Sequence, residues 1–145
     1  MIYITSDHAG FELKKSIIAW FTRSKKEFVD LCPDLIVSDD YPDRADELVI
    51  QLKENPKAVG VAICGTGQGM CIALNRHEWV RAGLSLKREI VRLSRAHNNA
   101  NVICLPGRFT SDKKALALVK VFLNTPFSKE QRHINRIKKL SQNKD

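Results

Sequence analysis

Apolar residues follow two rhythms along this chain. Short runs at Ile2–Thr5, Phe28–Cys32, Val59–Cys64, Val80–Leu84 and Val102–Leu105 predict five strands. Between them, apolar positions recur at three- and four-residue steps, the spacing of a helix with one buried face. Leu13, Ile17, Trp20 and Phe21 mark a first helix after Gly10, and Ala45, Leu48, Val49 and Leu52 a second that ends before Pro56. A third opens near Gly69 and carries Ile72 and Ala73; Leu86, Ile90 and Leu93 mark a fourth that ends near His97. Ala115, Leu118, Val119 and Phe122 form a fifth face, and Ile134, Ile137 and Leu140 predict a C-terminal helix.

Strands that alternate with helices imply parallel pairing with helices on both faces. The expected fold is a single doubly wound, Rossmann-like α/β domain with a mainly parallel five-stranded sheet and a C-terminal helix. No repeat, low-complexity tract or linker divides the 145 residues. In such sheets ligands bind beyond the carboxyl ends of the strands. Asp7-His8 follows the first strand, Cys64 to Gly69 the central one, and Arg108 the last, so three separated clusters are predicted to meet at one rim.

Composition narrows the class. With 43% hydrophobic and 28% charged residues the chain is ordinary for a globular protein. Its four cysteines, Cys32, Cys64, Cys71 and Cys104, form no C-x-x-C pair, which points to a reducing compartment and away from structural zinc. The residues after Met1 offer neither a basic segment nor a long apolar stretch, so the chain reads as cytoplasmic with no membrane partner. A net charge of +8 suits nucleic acid or small phosphorylated metabolites. No aromatic residues are interleaved among the lysines and arginines and no nucleic-acid-binding signature is present, so nucleic acid is disfavoured.

The segment Ile63-Cys64-Gly65-Thr66-Gly67-Gln68-Gly69 carries the strongest chemical signal. It sets a thiol and a glycine-rich turn between a buried strand and a helix, where backbone N–H groups can converge on an anion. It matches neither G-x-x-x-x-G-K-[ST] nor G-x-G-x-x-G, which disfavours a nucleotide. Asp7-His8 also fits a turn with a helix cap, and His97 with Asn98-Asn99 also fits a helix C-terminus. Arg132 and Arg136 lie four apart on one helix side, where like charges repel. A phosphate between them converts that repulsion into charge-assisted hydrogen bonding.

Taken in order, Ser6-Asp7-His8-Ala9-Gly10-Phe11, Asp40-Tyr41-Pro42-Asp43, Ile63-Cys64-Gly65-Thr66-Gly67 with Gly69 and Asn75, Ser94-Arg95 with His97-Asn98 and Asn101-Val102, Gly107-Arg108, and Arg132-His133 with Arg136 span nearly the whole chain. In these blocks the chain resembles the ribose-5-phosphate isomerase B family, which is shared with galactose-6-phosphate isomerase subunits. The resemblance implies interconversion of ribose 5-phosphate and ribulose 5-phosphate through a cis-enediolate, in the pentose phosphate pathway, without metal or organic cofactor. A six-carbon sugar phosphate such as allose or galactose 6-phosphate is the alternative substrate. A noncatalytic phosphosugar-binding protein on the same scaffold is the alternative from another class.

The family's pattern assigns roles residue by residue. Cys64 matches the base, His97 the proton donor for ring opening, and Asp7 a contact to a substrate hydroxyl. Thr66 and the backbone of Gly65, Gly67, Gln68 and Gly69 match the anion hole. His8, Arg132 and Arg136 match phosphate ligands, and Tyr41, Asn98 and Arg108 line the substrate site. In relatives the C-terminal arginines come from a neighbouring subunit, which implies a homodimer or a tetramer built as a dimer of dimers. Residues 1–145 would form the isomerase domain, with 128–145 a helix and tail that reaches the neighbour. Cys71, Leu74 and Pro106 depart from the common pattern, and Cys71 reads as packing and not as a second nucleophile.

Overall fold

A computed structural model of the protein describes residues 1–140; residues 141–145 of the expected tail lie outside the described residues. The elements run β1 (Ile2–Ser6), α1 (Phe11–Arg23), β2 (Phe28–Asp30), α2 (Tyr41–Glu54), β3 (Val59–Cys64), α3 (Gln68–Leu74), β4 (Ala82–Leu84), α4 (Arg88–Ala96), β5 (Val102–Pro106), α5 (Asp112–Asn124) and α6 (Gln131–Leu140). All five strands pair in parallel, in the order β2-β1-β3-β5-β4. The chain starts at β1, adds β2 on one side and returns to place β3 on the other, so strand order reverses between β1 and β3. That switch point leaves a crevice at the carboxyl ends of the two strands.

Successive strand residues serve opposite faces of the sheet. Val61 and Ile63 join Ile4, Ile103 and Leu105 beneath α1, α4 and α5, while Ala62 and Cys64 join Tyr3, Val102 and Cys104 beneath α2 and α3. Both faces are covered, which is why β3 and β5 read as continuous apolar runs instead of alternating ones. Pro42 in the first turn starts α2, and Ser111 caps α5 by accepting the Lys114 N–H at 3.3 Å.

Four local expectations change. Pairing of β2 stops at Asp30 instead of Cys32, because the Asp30 carboxylate turns back to accept the Cys32 N–H at 3.0 Å. Lys14, wholly buried on α1, bonds that carboxylate at 2.8 and 3.0 Å and also donates to the Cys32 carbonyl. Strand β4 begins at Ala82, not Val80, since the Asn101 side chain takes the Arg81 N–H (2.7 Å) and donates to the Trp79 carbonyl (2.8 Å) in place of a ladder. On α4 the buried face is carried by Val91 and Ala96, whereas Ile90 is exposed. On α6 the buried residue is His133, and Leu140 is 68% exposed. Among the described residues no helix is long and apolar enough to cross a membrane.

Candidate active site

The carboxyl ends of β1, β3 and β5 are stitched together by main-chain bonds. Asp7 N–H donates to the Ile63 carbonyl (3.2 Å), Gly107 N–H to the Cys64 carbonyl (2.8 Å), and Arg108 N–H to the Gly65 carbonyl (3.0 Å). The loops after the three strands are therefore tied to one another. Asp7 closes a 3-10 turn by accepting the Gly10 N–H on Oδ1 at 3.0 Å. Burial pushes its carboxyl above the ordinary value near 3.8, partly offset by that Gly10 bond and by His8.

Cys64 is the last residue of β3, and the loop after it has a defined shape. Thr66 Oγ1 accepts the Gln68 N–H at 3.3 Å, and Gly67, at φ 75°, turns the chain into α3. The Gly67 carbonyl then accepts the Cys71 N–H at 3.1 Å. Beyond the Gln68 N–H, the N–H groups of Gly69 and Met70 in the first helical turn have no partner within the helix and can bind an oxyanion. The Tyr41 ring lies directly on Gly69, where a Cβ would meet its atoms at 2.5 to 2.8 Å. Arg108 crosses Gly65 beside Ala9, with Nη1 3.4 Å from where a Cβ would stand. Asp7, His8, Tyr41, Cys64, Arg108 and the whole Gly65–Gly69 loop thus share one rim.

Cys64 is 3% exposed and packs in the cluster of Tyr3, Met70, Leu74 and Cys104. It is more enclosed than its place in a glycine-rich loop suggests. On the same face, the contact of Cys71 with Cys104 lowers Cys71 to about 7, while the same contact and burial push Cys104 well above the ordinary thiol value. Cys71 also lies 3.5 Å from both the Ala82 carbonyl and Asn75 Nδ2, as a packing partner of β4.

His97, Asn98, Arg132 and Arg136 stand elsewhere. Helix α4 runs against the strands, so His97, whose N–H caps α4 on the Leu93 carbonyl at 2.8 Å, falls at the amino end of β5. From the Gly60–Val102 pair to the Cys64–Pro106 pair is about 13 Å along the sheet. Within one chain, therefore, these four residues do not reach the Cys64 rim. They form a second cluster in which His97 stacks on His133 with centroids 4.2 Å apart. His133, 2% exposed, is held at Nδ1 by Ser128 Oγ at 2.8 Å. Burial, and the nearness of His97, Arg132 and Arg136, lower its pKa. Arg132 is tethered by Glu130 at 2.9 Å.

Sequence reasoning missed Asp39, Arg44 and His133. The Asp39 carboxylate is bonded to both the main chain and the ring of His8, thirty-one positions away, and no local pattern signals that pairing. His133 gave a weak signal, as a polar residue one position before Ile134 on the predicted apolar face. Among the described residues no group of three or more His, Cys, Asp or Glu side chains is placed to hold a metal ion.

Comparison with known proteins bears on this geometry. Residues 2–140 match the model of the family described as Ribose/Galactose Isomerase. A relative named probable ribose-5-phosphate isomerase B from Mycoplasma pneumoniae is 39% identical over 140 residues, which cover 96% of this chain and 91% of the relative. The crystal structure of a ribose 5-phosphate isomerase from Thermotoga maritima is 41% identical, superimposes with a TM-score of 0.92, and covers 97% of this chain and 96% of its own. The structure of ribose-5-phosphate isomerase B from Mycoplasma genitalium with bound ribulose 5-phosphate is 39% identical, with a TM-score of 0.90 and coverage of 97% and 93%.

Proposed function

The chain belongs to the ribose/galactose isomerase family, and on that premise we propose that it interconverts ribose 5-phosphate and ribulose 5-phosphate, with Cys64 as the base. The observation that carries this reading is the meeting of Cys64, its amide-rich loop, Asp7, His8, Tyr41 and Arg108 at the β1/β3 switch point. The open-chain aldose lies over the loop with its C2–H toward the sulfur. The Cys64 thiolate takes the C2 proton, the electron pair becomes the C1–C2 double bond, and negative charge develops on O1. The N–H groups of the Gly65 to Gly69 loop other than that of Gln68, and the Thr66 hydroxyl, which uses its oxygen for the Gln68 N–H and keeps its own proton to donate, receive that charge. Proton transfer between O2 and O1, followed by return of the thiol proton to C1, gives the ketose. Asp7 bonds a sugar hydroxyl, and Tyr41 and Arg108 line the chain of the sugar.

We propose further that the site is completed by a second copy of the chain. His97, as proton donor for ring opening, and Asn98, Arg132 and Arg136, as ligands of sugar and phosphate, gather at the end of their own chain's sheet opposite the Cys64 rim, with about 13 Å of strand between the two ends. A partner whose α4–α6 end faces that rim brings them in. The exposed Leu140 and Ile72 supply apolar contact for such a dimer, and the tail from residue 128 reaches across it. The same dimer can pair again into a tetramer. We propose the cytoplasm as the place of action.

Assaying purified protein side by side on five- and six-carbon aldose phosphates tests the reaction: turnover of ribose 5-phosphate is expected to dominate, and equal turnover of both refutes the narrower assignment. Refolding Cys64→Ala together with Arg132→Ala tests the shared site. Random pairing restores one intact site in hybrid dimers, roughly a quarter of parental activity; a mixture no more active than its components refutes it.

A further inference from the structure

We infer that Asp39 is a positioning residue for substrate phosphate, acting through His8; this rests on the reading of His8 as a phosphate ligand. Asp39 lies in the bend before α2, next to Asp40 and Tyr41, and the preceding Ser38 adopts φ 60° to turn it inward. Its side chain is 5% exposed. One oxygen, Oδ1, accepts two hydrogen bonds from the same residue: the His8 main-chain N–H at 2.7 Å and the His8 ring Nδ1 at 3.0 Å. The other, Oδ2, faces Arg44 Nε at 3.5 Å; both atoms are buried and make no closer hydrogen bond, and Arg44 is held in turn by Glu47 at 3.0 Å.

A buried carboxylate beside a guanidinium only accepts, so the proton on that side of the imidazole belongs to Nδ1. The bond therefore fixes two things at once, the ring's orientation and its tautomer. The His8 side chain keeps 37% of its surface exposed, and its remaining nitrogen, Nε2, is the one left to serve the rim. With Nδ1–H committed to Asp39, an anion at Nε2 is bonded by a ring that carries both protons. A carboxylate on one side and a phosphate on the other both stabilise that form. Arg44 keeps the Asp39 charge from repelling the incoming phosphate. A cap for the His8 turn would need only the main-chain bond; the second bond to the ring, made by the same oxygen, is what links Asp39 to the ligand.

The test combines kinetics with histidine ring nitrogen NMR on the full-length protein. In Asp39→Ala, KM for ribose 5-phosphate and the dissociation constant for inorganic phosphate are expected to rise together by roughly tenfold, with kcat within about threefold of the parent. Asp39→Asn, which retains an acceptor of the same shape, is expected to recover part of the loss. The parent's neutral His8 is expected to carry its proton on Nδ1, and Asp39→Ala to shift it toward Nε2. A parental His8 protonated on Nε2, or a folded Asp39→Ala with unchanged KM and phosphate binding, overturns the inference. Should Asp39→Ala not fold, the parental spectrum and the Asn variant decide it. A parent with no isomerase turnover would instead refute the proposed reaction, while the tautomer and phosphate affinity would still decide the role of Asp39.

Discussion

Replacing Gly67 with alanine probes the loop on which the anion hole depends. Gly67 sits at φ 75°, and a Cβ there would stand 2.6 Å from Leu84 Cδ1, 3.0 Å from the Leu105 carbonyl carbon and 3.1 Å from the Pro106 nitrogen. The left-handed backbone costs an L-residue about 1–2 kcal/mol. Two of the three close contacts are main-chain atoms of β5, which cannot swing aside as a side chain does, and overpacking of that kind costs about 1–3 kcal/mol more. Gly67→Ala should therefore lose about 3 kcal/mol of stability, which for a chain of this size lowers Tm by about 6–12 °C. Gly65→Ala is the matched control: its Cβ would meet Arg108 Nη1, Arg108 Cδ and Ala9 Cβ at 3.4, 3.5 and 3.6 Å, ordinary van der Waals distances, and it should cost less than about 1 kcal/mol. Guanidinium unfolding at one fixed protein concentration measures both, with a shifted midpoint and an unchanged m value expected for Gly67→Ala. A Gly67→Ala midpoint within about 0.5 kcal/mol of the parent would refute the reasoning.

Three further variants test the electrostatics. Lys14→Ala removes the partner of Asp30 from an enclosed pair bonded at 2.8 and 3.0 Å and should cost about 3 kcal/mol in urea unfolding, whereas Lys14→Met with Asp30→Leu should cost much less. Asp7→Asn keeps an acceptor for the Gly10 N–H and removes a carboxyl whose native pKa burial has raised above about 3.8. The native state holds that proton more tightly than the unfolded chain, so the carboxyl's unfavourable effect sets in as pH rises through the window just above 3.8 and persists at neutrality. Asp7→Asn should accordingly gain stability over the parent at pH 7 and none at pH 3, measured by unfolding midpoints at the two pH values, while its turnover falls.

Much of this architecture is legible in the residues themselves. Val59–Cys64 is a strand with the expected bounds, and Ala115, Leu118, Val119 and Phe122 form the buried face of α5, because in both cases the apolar pattern is long and unbroken. The phase of α4 is harder to read. It spans nine residues and offers three apolar candidates, and packing against α5 selects Val91 over Ile90. Side chains that replace backbone partners escape any periodicity, as Asn101 does in shortening β4 and Asp30 in shortening β2. Of the site, the rim formed by Asp7, His8, Cys64–Gly69 and Arg108 follows from strand order alone. The place of His97 was also available, since a helix that returns between parallel strands must end at their amino edge. Asp39 was not, because its bond to His8 depends on a turn geometry that no spacing encodes.

Proton exchange at the sugar's second carbon in heavy water, followed by NMR for the parent and for Cys64→Ala, tests the role of the buried sulfur most directly. The account predicts that the parent exchanges the C2 proton of ribose 5-phosphate for deuterium during turnover. It also predicts that Cys64→Ala still binds the sugar but exchanges at least about a hundredfold more slowly. Exchange by Cys64→Ala at the parental rate would contradict it.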